Sequence, residues 1–226
     1  MREWKRRLDA VSLLRHGIVV GVLMAGMVAM AGRAQAPPPA TPVTASSALH
    51  AGEVLVRLTT PLGDIDLAVD TLRAPVTSGN FLKYVDGGFY DGGRFHRATR
   101  PDNYTPAPPA RPAMELIQGG INPERRGEAA PPIPLERTSV TGLKHVVGTV
   151  SMARGTAADT ATSDIFILLD QQPSLDFGGG RFDDKQGGAA FGRVVAGLEV
   201  VRKIQQEPVK GQNLTPPVPI TSAVRK

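Results

Sequence analysis

The chain contains no cysteine. That excludes disulfides, thiolate zinc sites, iron–sulfur clusters, a cysteine nucleophile and lipid attachment at a cysteine. Aromatic residues are scarce, at 5% of the whole, and the single tryptophan is Trp4. The four histidines, His16, His50, His96 and His145, stand far apart, so no metal-ligand spacing is present. No metal and no cofactor is expected. The apolar run over 17–31 (GIVVGVLMAGMVAMA) has 15 residues, short of the roughly 20 that cross a bilayer. What the chain has in quantity is glycine and proline, 25 and 20 in 226 residues. That composition favours turns and short strands over a long-helix bundle. The length suits one sizeable domain with its own core.

The formal net charge is +5 with a pI near 9.8, which would suit a nucleic-acid or membrane surface. The charge is unevenly placed. Arg2, Lys5, Arg6, Arg7 and Arg15 precede and flank the apolar run, and Ala34-Gln35-Ala36 closes it. A basic start, a short apolar stretch and a small-x-small site together read as a secretory signal peptide over 1–36. Without it the remaining 190 residues hold 20 Lys/Arg and 19 Asp/Glu, a formal +1. The concentrated basic surface that phosphate binding needs is then missing, so no nucleic-acid partner is expected. The protein is expected in the periplasm or secreted. The alternative is an uncleaved leader holding it to the inner membrane, its one membrane contact.

Residues 37–51 (PPPATPVTASSALHA) are Pro-, Ala-, Ser- and Thr-rich and read as a disordered spacer. A folded domain is expected over 52–226. Val54–Leu58 and Ile65–Val69 alternate around Pro61-Leu62-Gly63 and predict a β-hairpin. The stretch 74–85 starts at a proline turn and stops at Gly87-Gly88, predicting a helix. Strands are predicted at 94–98, 116–118, 146–153, 165–169, 190–195 and 218–224, and a second helix at 198–204. A segment with five prolines, 99–113, reads as a loop or insertion, and 177–188 as a glycine-rich loop.

On this framework lies an ordered set of short motifs. Asn80-Phe81 falls in the first helix, followed by Phe95-His96-Arg97, Ile117-Gln118-Gly119-Gly120, and Gly148 to Ala153 (GTVSMA). Ser163 to Ile167 (SDIFI) and Phe191 to Gly197 (FGRVVAG) complete it. Each is weak alone. Together, in this order from about Glu53 to the end, they resemble the cyclophilin family of peptidyl-prolyl cis–trans isomerases. The resemblance implies a mainly β fold: a closed eight-stranded antiparallel barrel capped by two α-helices. It implies isomerase action on Xaa-Pro bonds of proline-containing polypeptide clients, by a monomer that assists folding of exported proteins. A second reading keeps the same barrel as a binding or chaperone module with weak or no isomerase activity.

The resemblance also assigns roles. Arg97 matches the catalytic guanidinium, and Gln118 the residue that positions it and bonds substrate backbone. Leu116, Phe166 and Leu175 match the floor of a proline pocket, and Ala153, Arg154 and Gly155 the segment that pairs with extended substrate. Alternation along the strand turns His96 away from Arg97, into the barrel. Three positions at the pocket edge depart from the family: Glu115 where an aromatic is expected, Asp164 in place of a glutamine, and Ser174 where many members carry an indole. The family's pocket-edge histidine is missing near Gly187-Gly188. Phe177 or Phe182, on the glycine-rich loop, is a candidate to return the lost ring.

Overall fold

The computed structural model describes residues 48–104 and 113–226. The leader at 1–36, most of the spacer at 37–51 and the centre of the Pro-rich segment at 99–113 lie outside the described residues.

The domain opens as the alternation predicts. Strands β1 (Glu53–Thr60) and β2 (Gly63–Asp70) pair antiparallel with Val56 opposite Leu67 and Leu58 opposite Ile65. All four side chains are fully buried, because a period of two sends them to one face. Thr60 ties the turn, its hydroxyl donating to the Gly63 carbonyl at 2.8 Å. Helix α1 (Pro75–Asp86) starts with a proline, whose missing N–H costs a first turn nothing. Its open N–H groups at Val76 and Thr77 donate instead to the Glu136 carboxylate, at 3.0 and 2.7 Å. Phe81, buried on α1, meets Tyr90 and Phe191 at ring separations of 5.3 Å in the main core.

The chain continues through β3 (Gly93–Thr99), β4 (Leu116–Gly120), a single turn α2 (Thr138–Thr141), β5 (Thr149–Met152), β6 (Ile165–Leu168) and β7 (Ala189–Ala196). Helix α3 (Leu198–Gln206) then precedes β8 (Val209–Lys210), β9 (Asn213–Ile220) and β10 (Ser222–Arg225). α3 buries Val200, Val201 and Ile204, the helical spacing read from the sequence. The strand predicted over 146–153 is shorter as β5, because Gly148 takes a positive φ of 83° and turns the chain; Val146 and Val147 stay exposed.

All pairings are antiparallel, in the order β10-β1-β2-β7-β5-β6-β4-β3-β9-β8. The fold is mainly β with few helices. The described residues hold ten strands in place of the eight expected, and the sheet order has two formal ends. The difference is one of segmentation. β8 is a two-residue stub, while β9 and β10 are halves of one strand interrupted only at Thr221. β9 pairs with β3 and β10 with β1, and the Thr221 N–H donates to the Thr59 carbonyl at 2.8 Å. One bent strand thus joins the two edges, which gives the sheet its barrel form. The two capping helices correspond to α1 and α3; α2 had no signal in the sequence.

β3 carries an irregularity that sets the site. Its register against both β4 and β9 shifts between Phe95 and Arg97, so His96 is a bulge residue. Phe95 and Ala98 point into the barrel, both fully buried, while His96 and Arg97 both remain partly exposed. This corrects the expected position of His96. Its ring lies outside the core with Nε2 at 3.7 Å from Asp164, because the extra residue breaks strict alternation.

Candidate active site

On the outer face of β4 and β6, separate from the main core, sits a small apolar cluster of Met114, Leu116, Phe166, Leu168 and Leu175. Side chains alternate through β4 and the residues just before it: Met114, Leu116 and Gln118 face this side, while Ile117 enters the barrel core. A cavity of about 180 Å³ opens over it. Arg97, Gln118, Leu116, Ala153, Arg154, Phe166 and Leu175 all line this cavity. Seven residues singled out in the sequence are therefore brought to one place. Met114, Arg181 and Phe182 line it as well.

The Arg97 guanidinium is fixed on two sides. Nη1 donates to Gln118 Oε1 at 3.0 Å, and Nε and Nη2 both donate to Gln212 Oε1 at 2.9 and 2.7 Å. Of five guanidinium N–H groups, these bonds leave one on Nη1 and one on Nη2 for a ligand. Gln212 follows Gly211, which turns the β8–β9 hairpin with a positive φ of 64°. Its carbonyl also accepts from the Ala98 N–H at 3.0 Å. Sequence reasoning missed Gln212 because it lies 115 residues from Arg97 and in no motif. Burial and the nearby Arg181 guanidinium pull the Arg97 pKa below its ordinary value, against a smaller pull upward from Tyr104.

The pocket floor is backed from below. His145 is buried, its ring stacked on Phe166 at 6.3 Å and 13°. Its Nδ1 lies 2.8 Å from Asp176 Oδ1 and its Nε2 3.0 Å from Ser151 Oγ. Burial lowers the His145 pKa, outweighing the opposing effect of Asp176. Ser151 is fully buried, so this row of three holds the floor in place and does not face the cleft.

The glycine-rich loop supplies a ring. Phe182 packs on the apolar cluster, with the Arg154 guanidinium 3.5 Å above its centroid. Phe177, the other candidate, is 47% exposed. Arg154 turns away from the cleft into this loop, its side chain only 1% exposed. It donates to the carbonyls of Gly187 and Thr156 at 2.8 and 2.9 Å and to Asp184 Oδ1 at 2.8 Å. The side chain ties the loop down, with its Nε, Nη1 and one N–H of Nη2 committed there. Gly155, expected beside it, lines a neighbouring cavity of about 450 Å³, and its N–H is already donated to Thr160 Oγ1 at 2.9 Å.

The three edge positions separate. Asp164 lines the larger neighbouring cavity, between His96 and Arg126 at 3.7 Å each, and fills the space a side chain at Gly120 would need. Glu115 is corrected: it leaves the pocket edge because β4 alternation sends it to the α3 side, where Gln205 Nε2 is 3.4 Å from its Oε2. Met114 occupies the pocket face instead. Ser174 is likewise not at the edge. Its hydroxyl lies 3.2 Å from Gln172 Oε1 and its carbonyl accepts from the Arg181 N–H, so the wall beside it is Leu175.

A barrel that fixes one guanidinium beside a small apolar slot offers a short apolar group a seat next to an oriented hydrogen-bond donor. The model of the cyclophilin type peptidyl-prolyl cis-trans isomerase family matches residues 55–225. Peptidyl-prolyl cis-trans isomerase A of Dickeya dadantii is 38% identical over 161 residues, 71% of this chain and 75% of that protein. Peptidyl-prolyl cis-trans isomerase B of Escherichia coli is 32% identical over 151 residues, 67% of this chain and 84% of that one. A crystal structure of a Cryptosporidium parvum cyclophilin superposes with a TM-score of 0.61 at 22% identity, covering 77% of this chain and 98% of that one. The chain belongs to the cyclophilin-type peptidyl-prolyl cis–trans isomerases.

Proposed function

We propose that this chain isomerises Xaa-Pro bonds in polypeptides outside the cytoplasm, with Arg97 as the catalytic residue. The observation that carries the proposal is the Arg97 guanidinium held by Gln118 and Gln212 at the edge of the slot formed by Leu116, Phe166, Leu175 and Phe182. A related structure was determined with the dipeptide Ala-Pro, which supports a proline ligand.

The barrier to be lowered is about 18–20 kcal/mol, set by resonance in the amide. Rotation breaks no covalent bond, so the demand is electrostatic and geometric. As the amide twists, resonance is lost and the prolyl nitrogen gains a lone pair that accepts a hydrogen bond. The two free N–H groups of Arg97 are oriented by the glutamines before substrate arrives, and a donor that is strongest toward the twisted form lowers the barrier. The apolar slot holds the proline ring while the preceding residue turns. Gln118, whose oxygen faces Arg97, has its amide N–H groups left for substrate backbone. The basic start, short apolar run and Ala34-Gln35-Ala36 support an exported location, where the clients would be proteins folding after export.

The test is isomerisation of a Xaa-Pro peptide in a protease-coupled assay. Arg97→Ala is expected to lower kcat/KM by about 10²–10³-fold, the range for one charge-stabilising donor. An undiminished rate would refute the role. N-terminal sequencing of the protein recovered from the periplasm tests the location; its recovery only from the cytoplasm with residues 1–36 intact would refute it.

A further inference from the structure

We infer that the cleft selects proline-containing segments bearing an acidic side chain next to the proline, with Arg181 as the specificity-determining residue. The inference rests on the isomerase reading of Arg97 and adds a substrate class to it. Arg181 enters the cleft from the glycine-rich loop and lines the same cavity of about 180 Å³ as Arg97. It is held there at two points: its backbone N–H donates to the Ser174 carbonyl at 3.0 Å, and its Nη1 donates to the Tyr104 hydroxyl at 2.8 Å.

The charge of this cavity is one-sided. Of its ten lining residues among those described, three are arginines and none is acidic. Arg154 is neutralised by Asp184 at 2.8 Å. Among the described residues, Arg97 is bound only by neutral glutamine oxygens. Arg181 has no carboxylate within ion-pair distance among the described residues, and the segment 105–112 contains no Asp or Glu. The acids that lie around the cleft are turned elsewhere. Asp184 faces Arg154, Asp102 faces Arg100 at 3.2 Å, Glu115 faces Gln205, and Asp183 sits on a separate cavity with Gly155 and Thr156.

Two guanidinium groups sharing a half-buried cleft repel each other, and Arg181 does act on Arg97 in that sense. An incoming carboxylate on a residue flanking the proline would remove that repulsion. It would accept from the Nε and Nη2 donors that Tyr104 leaves open on Arg181. The free N–H groups of Arg97 would stay directed at the prolyl amide. A lysine at the same place meets two like charges and is disfavoured, so the pair both attracts and excludes.

The experiment uses the full-length protein and two-dimensional NMR exchange on six short peptides. Each has one Xaa-Pro bond, with Glu, Ala or Lys placed either before or after the proline. At low salt the Glu peptide at one of the two positions is expected to exchange on the order of tenfold faster than its Lys counterpart, the ratio falling as salt is raised. Arg181→Gln is expected to bring the ratio close to one, and Arg181→Lys to keep most of it. Similar rates for all charges, or an acid preference that persists in Arg181→Gln, would overturn the inference and leave the isomerase reading standing. No exchange even for the Ala peptides would overturn both. Should Arg181→Gln fail to fold, Tyr104→Phe, which removes the hydroxyl that holds Arg181, is expected to shrink the ratio, and an unchanged ratio would overturn the inference.

Discussion

Replacing Gln212 by alanine removes the single oxygen that accepts from both Nε and Nη2 of Arg97, at 2.9 and 2.7 Å. Gln118 would then hold the guanidinium alone, through Nη1. A hydrogen bond to a charged group is worth about 1.5–3 kcal/mol net. Arg97 is only partly buried, and water entering behind it recovers part of that loss for the folded state. What water does not restore is direction, since the fork is free to swing about its remaining bond. The expected loss in kcat/KM is therefore about tenfold to a hundredfold, at 1.36 kcal/mol for each factor of ten. Stability should change little. The Gln212 carbonyl keeps its bond to the Ala98 N–H in the alanine variant, so the pairing beside β3 survives. The assay is isomerisation of a neutral Xaa-Pro peptide, with a thermal melt on the same sample. Gln212→Ala activity within about twofold of the unmodified protein would show that Arg97 needs no clamp, and the reasoning would fall.

Phe182→Ala should raise KM by roughly threefold to tenfold, the worth of one aromatic contact in the slot, while Phe177→Ala should leave it unchanged; equal effects would sink the assignment of the ring. Acidification should destabilise the fold through His145. Its folded pKa lies below the ordinary 6.5, so the folded form binds fewer protons than the unfolded one. The contribution is whole above the unfolded value and is lost as pH falls through 6.5 toward the folded pKa. His96, also lowered by burial, acts with the same sign. Thermal melts taken between about pH 7.5 and 5 should show this fall, and His145→Gln should flatten it; an unchanged slope would refute the assignment.

Much of the barrel was legible because its signals are local. The β1–β2 hairpin, α1 and α3 followed from alternation, a proline start and helical spacing within single windows. That Arg97, Gln118, Leu116, Phe166 and Leu175 meet at one cavity was legible from the family resemblance that the ordered motifs carry. Three features were not. His96 went to the wrong side because a bulge adds one residue to a strand without any mark in its composition. The family resemblance puts Glu115 at the pocket edge, whereas the pleat turns it toward α3 and offers Met114 instead. Gln212 reaches the site from a distant hairpin, and no window of sequence contains both it and Arg97; Phe182 was one of two rings the sequence offered, and only the structure chooses it over Phe177. The departures at Asp164 and Ser174 pointed to a pocket poor in aromatic surface; the Phe182 ring, steadied by Arg154, returns part of it.

The bent strand that joins β3 to β1 also sets a clock. β1 is among the first folded residues, and its partner β10 is the last strand of the chain. Contacts this distant in sequence form slowly, since a long loop must close before they are rewarded. The Gln212 clamp on Arg97 sits at the start of the same closing segment. A chain interrupted before residue 212 therefore lacks both its final seam and the group that aims its guanidinium. The seam that joins the sheet edges and the clamp on Arg97 stand or fall together, since both are supplied by residues 212–225.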